Sequence, residues 1–117
     1  MNIEDIRSYC LAKKGVTEEF PFDETSLVYK VMGKMFLLTD LDSQLWINLK
    51  CDPLKAIDLR ERYPGVRPGY HMNKKHWNTI YADGSVPDRI LREWIDHSYD
   101  MVVEKLSRKQ KEQLEKM

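Results

Sequence analysis

Cysteine is scarce in this chain. Cys10 and Cys51 are the only two, far apart, with no CxxC or His-x-x-Cys spacing beside them. No disulfide framework or cysteine-based metal site can be read from such spacing, and His71, His76 and His97 form no ligand cluster with them. Two small buried hydrophobes in a reducing cytosol is the plain reading, so a cytoplasmic location is expected. No apolar run approaches the roughly 20 residues of a membrane span, and no signal peptide is expected at the start, so a membrane partner is not expected. Net charge is also lacking, with 19 basic and 19 acidic residues. The chain is not globally basic. There is no GxSxG elbow, no phosphate-cradling glycine-rich loop and no HExxH, and the five glycines fall at turns. Glu18-Glu19 and Asp23-Glu24 flank a proline loop and read as solvated charge rather than a general acid–base pair. No catalytic residue, cofactor or metal is expected.

What is present is enough apolar material for one core. At 117 residues and 42% hydrophobic the chain excludes disorder and fits one domain, with residues 1–106 as the folded unit and 107–117 as a polar C-terminal tail. A monomer is the simplest expectation.

Asn2 can cap a first helix carrying Ile3, Ile6, Cys10 and Leu11 at helical spacing, with Gly15 ending it. Val16–Asp23 reads as irregular, Phe20 and Phe22 anchoring it to the core around Pro21. Leu27, Tyr29 and Val31 then alternate with Val28, Lys30 and Met32. Gly33 turns the chain into Lys34–Thr39, which makes a hairpin. After a turn at Asp40–Gln44, Leu45, Ile47 and Leu49 alternate with Trp46, Asn48 and Lys50. Trp46 sits on the wetter side, where it is either covered by the long helix or lines a binding surface with Asn48 and Lys50.

Asp52-Pro53 starts a second helix, with Leu54 and Ile57 in one row, stopping before Pro64-Gly65. Tyr70–Met72 and Trp77–Ala82 read as two strands joined through Asn73-Lys74-Lys75. Asp83-Gly84 is a turn, and Pro87 opens the longest helix, whose row Leu91, Ile95, Ser98, Val102 stands beside Ile90, Trp94 and Met101. Beyond Leu106 the polar chain is expected to fray. Strands in runs without βαβ alternation predict an α+β fold. Its antiparallel five-stranded sheet carries packed helices in the order α-β-β-β-α-β-β-α.

Charge is unevenly distributed. Residues 60–82 hold Arg60, Arg62, Arg67, Lys74 and Lys75 against Glu61 alone, whereas residues 83–104 hold six acids against Arg89 and Arg92. The most distinctive stretch is Tyr63-Pro64-Gly65-Val66-Arg67-Pro68-Gly69-Tyr70-His71-Met72-Asn73-Lys74-Lys75-His76-Trp77-Asn78-Thr79-Ile80. With Asp83-Gly84-Ser85-Val86-Pro87 and Ser98-Tyr99, it resembles the pattern of the MmcQ/YjbR family of small bacterial proteins. The likeness runs from the first helix to about Leu106. It implies an α-β(3)-α-β(2)-α fold similar to type III secretion chaperones, and a DNA-binding role attached to hairpins likened to a double wing. The matching positions are Lys74, Lys75, His76 and Trp77, with Arg67 upstream.

The expected function is therefore weak, phosphate-directed contact with DNA by a hairpin bearing Arg62, Arg67, Lys74 and Lys75, with His76 and Trp77 as further contacts. Four phosphate contacts would give a log–log salt slope of about −3 to −4. Trp77 is as readily a packing residue. The alternative is a non-catalytic protein- or peptide-binding module that uses an open sheet face.

Overall fold

The computed structural model describes residues 1–42, 45–69 and 72–117. Helix α1 (Ile3–Leu11) opens on a reciprocal cap: the Asp5 amide donates to Asn2 Oδ1 at 2.8 Å and the Asn2 amide to Asp5 Oδ2 at 3.0 Å. Strands β1 (Val16–Glu19), β2 (Ser26–Val31), β3 (Lys34–Asp40) and β4 (Trp46–Lys50) follow, then α2 (Pro53–Arg62), β5 (Val66–Pro68), β6 (Trp77–Tyr81), α3 (Asp88–Glu104) and α4 (Arg108–Glu115). One antiparallel sheet has the order β1-β2-β3-β4-β6-β5.

The α+β class and the antiparallel sheet hold, but the sheet has six strands where five were expected. The extra strand is β1, in the stretch read as irregular. Its local pattern is weak, and long-range contacts decide it: Val16 lies opposite Val31 and packs on the core, and Glu18 lies opposite Tyr29. The Glu18 carboxylate accepts from the Tyr29 hydroxyl at 2.8 Å and from Arg7 Nε at 2.9 Å. Burial and that carboxylate together raise the Tyr29 pKa. Phe20 and Phe22 are not core anchors. They are 47% and 69% exposed, in a loop beyond the sheet edge closed by Asp23, which accepts from the Thr25 and Ser26 amides.

The strand expected at Tyr70–Met72 lies earlier, at Val66–Pro68. Val66 is buried opposite Ile80, and an edge strand tolerates Pro68, whose missing donor would face no partner. Tyr70 and His71 lie outside the described residues; Met72 belongs to a bend. Helix α2 starts at Asp52, whose side chain accepts from the Leu54 and Lys55 amides, but it turns Ala56 and Leu59 inward. Leu54 and Ile57 are 80% and 51% exposed instead. Ala56 lets the sheet come close, since Asn78 Nδ2 donates to its carbonyl at 3.2 Å.

Helix α3 buries Leu91, Trp94, Ile95, Ser98 and Val102, the expected row. Ser98 fastens it across two strands, its hydroxyl donating to the Phe36 carbonyl at 2.5 Å and accepting from the Lys50 amide at 2.8 Å. Tyr99 packs edge-on to Phe36 and donates to the Lys14 carbonyl at 2.7 Å. The tail does not fray: Ser107 and Gln110 form a capping box, and Leu114 is buried at Gly15. Both thiols are buried, which pushes Cys10 up to about 12 and Cys51 to about 11. Among the described residues no helix is long and apolar enough to cross a membrane.

All the helices in contact with the sheet lie on one face. There Leu27, Tyr29, Val31, Leu37, Ile47, Leu49, Ile80 and Val66 join the core. Strand alternation sends Val28, Leu38, Trp46, Asn48, Thr79 and Arg67 to the other face, and none of these belongs to that core or packs against it. Among the described residues, helices cover the sheet on one side only.

Candidate functional site

The basic segment forms the β5 edge and the connection from β5 to β6. Its backbone is held by Arg60, whose Nε donates to Asn78 Oδ1 at 2.6 Å while Nη2 donates to the carbonyls of Lys74 and Trp77. Arg60 is therefore a brace for the loop. Asn73 closes the turn: its side chain accepts from the Lys75 amide at 2.9 Å, and its carbonyl accepts from the His76 and Trp77 amides. The His76 carbonyl accepts from the Cys51 amide at 2.8 Å, joining the turn to the end of β4. Gly69 is required by close approach, because a Cβ there would lie 2.9 Å from Trp77 Cβ and 3.0 Å from its carbonyl oxygen.

On this frame the six expected contact residues separate. Arg67, Lys74 and Lys75 are exposed, and among the described residues no carboxylate lies within ion-pair distance of them. Lys74 Nζ donates to the Gly69 carbonyl at 3.2 Å, which positions its charge without neutralising it. Arg62, at the end of α2, meets Asp58 at 3.2 Å in an exposed i,i+4 pair. Its charge is partly offset. His76 is half-buried, and its Nδ1 has no hydrogen-bond partner among the described residues. Trp77 is 9% exposed and packed beneath Gly69, which places it in the loop's own packing.

Three of the acids of residues 83–104 are paired away from this edge. Asp88 holds the N-terminal amine at 2.8 Å, Glu93 pairs with Arg89, and Asp96 takes Lys13 and the Tyr9 hydroxyl. At the opposite edge the charges cancel, with Glu18 on Arg7 and Glu19 on Lys30. The two edges of the sheet differ in kind.

The YjbR family model matches residues 11–101 of this chain. The chain belongs to the YjbR family. It is 40% identical over 91 residues to the uncharacterized protein YbdF of Escherichia coli O157:H7, covering 77% of this chain and 75% of that one. It is 35% identical over 104 residues to the uncharacterized protein YjbR of Escherichia coli K12, covering 88% of each. The crystal structure of Deinococcus radiodurans protein DR2400 superposes with a TM-score of 0.91 at 39% identity, covering 97% of this chain and 87% of that one. A Pseudomonas syringae protein gives a TM-score of 0.74 at 23% identity, covering 86% and 98%, a likeness of fold. Within the YjbR pattern of this chain, Asn73 shapes the turn that Arg60 holds, while Ser98 and Tyr99 pin α3 to the sheet.

The bare sheet face was only half visible in the sequence. Trp46, Asn48 and Lys50 were legible from alternation, and α3 lies on the opposite face, so it does not cover Trp46. Tyr81 was missed; its place beside Trp46 is set by the β4–β6 register, which no local pattern reports.

Proposed function

We propose that this YjbR domain is a nucleic-acid-binding module that contacts phosphates through its β5–β6 edge, and that its role is binding rather than catalysis. The observation that supports the reading is that Arg67, Lys74 and Lys75 project from one braced edge with no carboxylate against them among the described residues. Point charges on a turn position a phosphate backbone and read no bases. With Arg62 as an outer contact, three to four phosphates predict a log–log salt slope of about −2.5 to −3.5 and weak binding. Fluorescence anisotropy of a labelled DNA duplex across a salt series tests this. The double variant Lys74→Glu, Lys75→Glu should weaken binding uniformly across sequences and flatten the slope by about two. No binding at about 50 mM salt, or binding indifferent to salt, ends the reading. The helix-free sheet face supports the alternative, a protein or peptide partner laid across it.

A further inference from the structure

The edge of the sheet opposite the basic loop ends in exposed aromatics. Strand β1 reads Val16-Thr17-Glu18-Glu19 and passes straight into Phe20-Pro21-Phe22. Phe20 follows the pairing of Glu19 with Val28, and Leu41 follows the pairing of Ser26 with Asp40, so both stand at the same end of the sheet. The Leu41 amide donates to the Thr25 carbonyl at 2.9 Å, which sets Leu41 beside this loop. Phe20, Phe22 and Leu41 are exposed, and none belongs to the core. The phenylalanines are not on slack chain. Pro21 restricts the backbone between them, and Asp23 closes the turn by accepting from the Thr25 and Ser26 amides at 2.9 and 2.6 Å. Leu41, Ile3 and Leu45 line a groove of about 250 Å³, smaller than a small-molecule pocket and suited to one large side chain.

Two further features surround this patch. Among the described residues no strand pairs with the outer side of β1, so alternate amides and carbonyls there are open to a partner. The other edge strand, β5, is blunted by Pro68, whereas β1 contains neither proline nor lysine. The charge is also of one sign. Residues 16–25 and 40–42 hold Glu18, Glu19, Asp23, Glu24, Asp40 and Asp42 and no base. Arg7 and Lys30 pair with the first two. The other four have no cation within ion-pair distance among the described residues.

Together these features select one class of occupant. A second copy pairing through its own β1 would set the same carboxylates against these, and like charges across a strand pair are destabilising. A nucleic acid is repelled for the same reason. An uncharged apolar strand would leave the four free carboxylates unmatched. We propose that the β1 edge and the loop 20–22 bind a basic, partly apolar segment of another protein. The segment adds to β1 as a seventh strand, rests apolar side chains on Phe20 and Phe22, and sets lysine or arginine against Asp23 and Glu24. This surface lies on the opposite edge from β5, so it stands independently of the nucleic-acid reading.

The test is fluorescence anisotropy of a labelled octapeptide that alternates lysine with valine or phenylalanine, titrated with the full chain. It should bind, and a counterpart with glutamate in place of lysine should not. A counterpart with serine in place of the apolar residues keeps the charge and should bind about tenfold more weakly. Of two versions N-methylated at alternate residues, one should fail to bind, because a strand pairs through the amides of one side only. Those peptides give a readout free of mutation in the chain. Phe20→Ser with Phe22→Ser should weaken binding about tenfold and Glu24→Lys about threefold, with circular dichroism checking the fold. No binding of the basic apolar peptide, equal binding of the serine peptide, or equal binding of both N-methylated versions overturns the inference. Self-association that Phe20→Ser with Phe22→Ser abolishes, with no peptide binding, would assign the loop to a second copy and likewise overturn it.

Discussion

The two faces of one sheet are built from the same strands and have opposite fates. Leu37 and Leu38 are neighbours on β3, yet Leu37 is fully buried in the helix-covered core and Leu38 is half-buried on the bare side. On the covered face the polar groups are paired: Ser98 spans Phe36 and Lys50, Asn78 is held by Arg60 and Ala56, and Tyr29 by Glu18. On the bare side, Asn48 Nδ2 is buried and has no hydrogen-bond partner among the described residues. The contrast separates a face sealed by helices from one that no helix covers among the described residues.

The sharpest way to break that contrast is to truncate both leucines. Leu37→Ala should cost about 2–5 kcal/mol, as a full cavity inside a packed core, whereas Leu38→Ala should cost under about 1.5 kcal/mol. Urea denaturation of the two variants measures it, and equal losses would mean the bare face is a second core. Next in size is Ser98→Ala, which removes one hydroxyl serving both Phe36 and Lys50; about 1–3 kcal/mol should be lost, with α3 more open to hydrogen exchange.

A smaller effect comes from His97 beside the covered face. Burial, then Lys55, lower its pKa, and its Nε2 accepts from the Asp52 amide at 3.2 Å. Because the folded value lies below the unfolded one near 6.5, the unfolded chain takes up the proton first. Stability should therefore fall as the pH drops below about 6.5 and level off beneath the folded pKa. His97→Gln should show a shallower fall over that window in the urea midpoint, and an unchanged pH profile would show that His97 is not responsible. Smallest is Arg62→Ala, which should change stability by no more than about 0.5 kcal/mol because its partner Asp58 is equally solvated.

Much of the candidate edge was legible beforehand. A turn at Asn73-Lys74-Lys75 follows from asparagine's tolerance of turn geometry, and exposed lysines follow from their cost of burial. Trp77 and Arg62 were harder, because whether an aromatic is sealed or an arginine is paired depends on what comes to lie across it. Arg60 shows the point best. In the sequence it is one more cation of a basic block, and in the fold it is the brace that shapes the loop.

By itself, the order of residues determined the caps at Asn2 and Asp52, the β2–β3 hairpin, the alternation of β4 and the buried row of α3. Each is a matter of backbone propensity or periodicity over a few neighbours. Only the tertiary structure decided that Val16–Glu19 is a strand, that α2 turns Leu54 and Ile57 to solvent, that the polar tail docks through Leu114, and that one side of the sheet stays bare. Those outcomes depend on which distant surfaces compete for burial, and a limited set of helices can cover a six-stranded sheet on one face while leaving the other free.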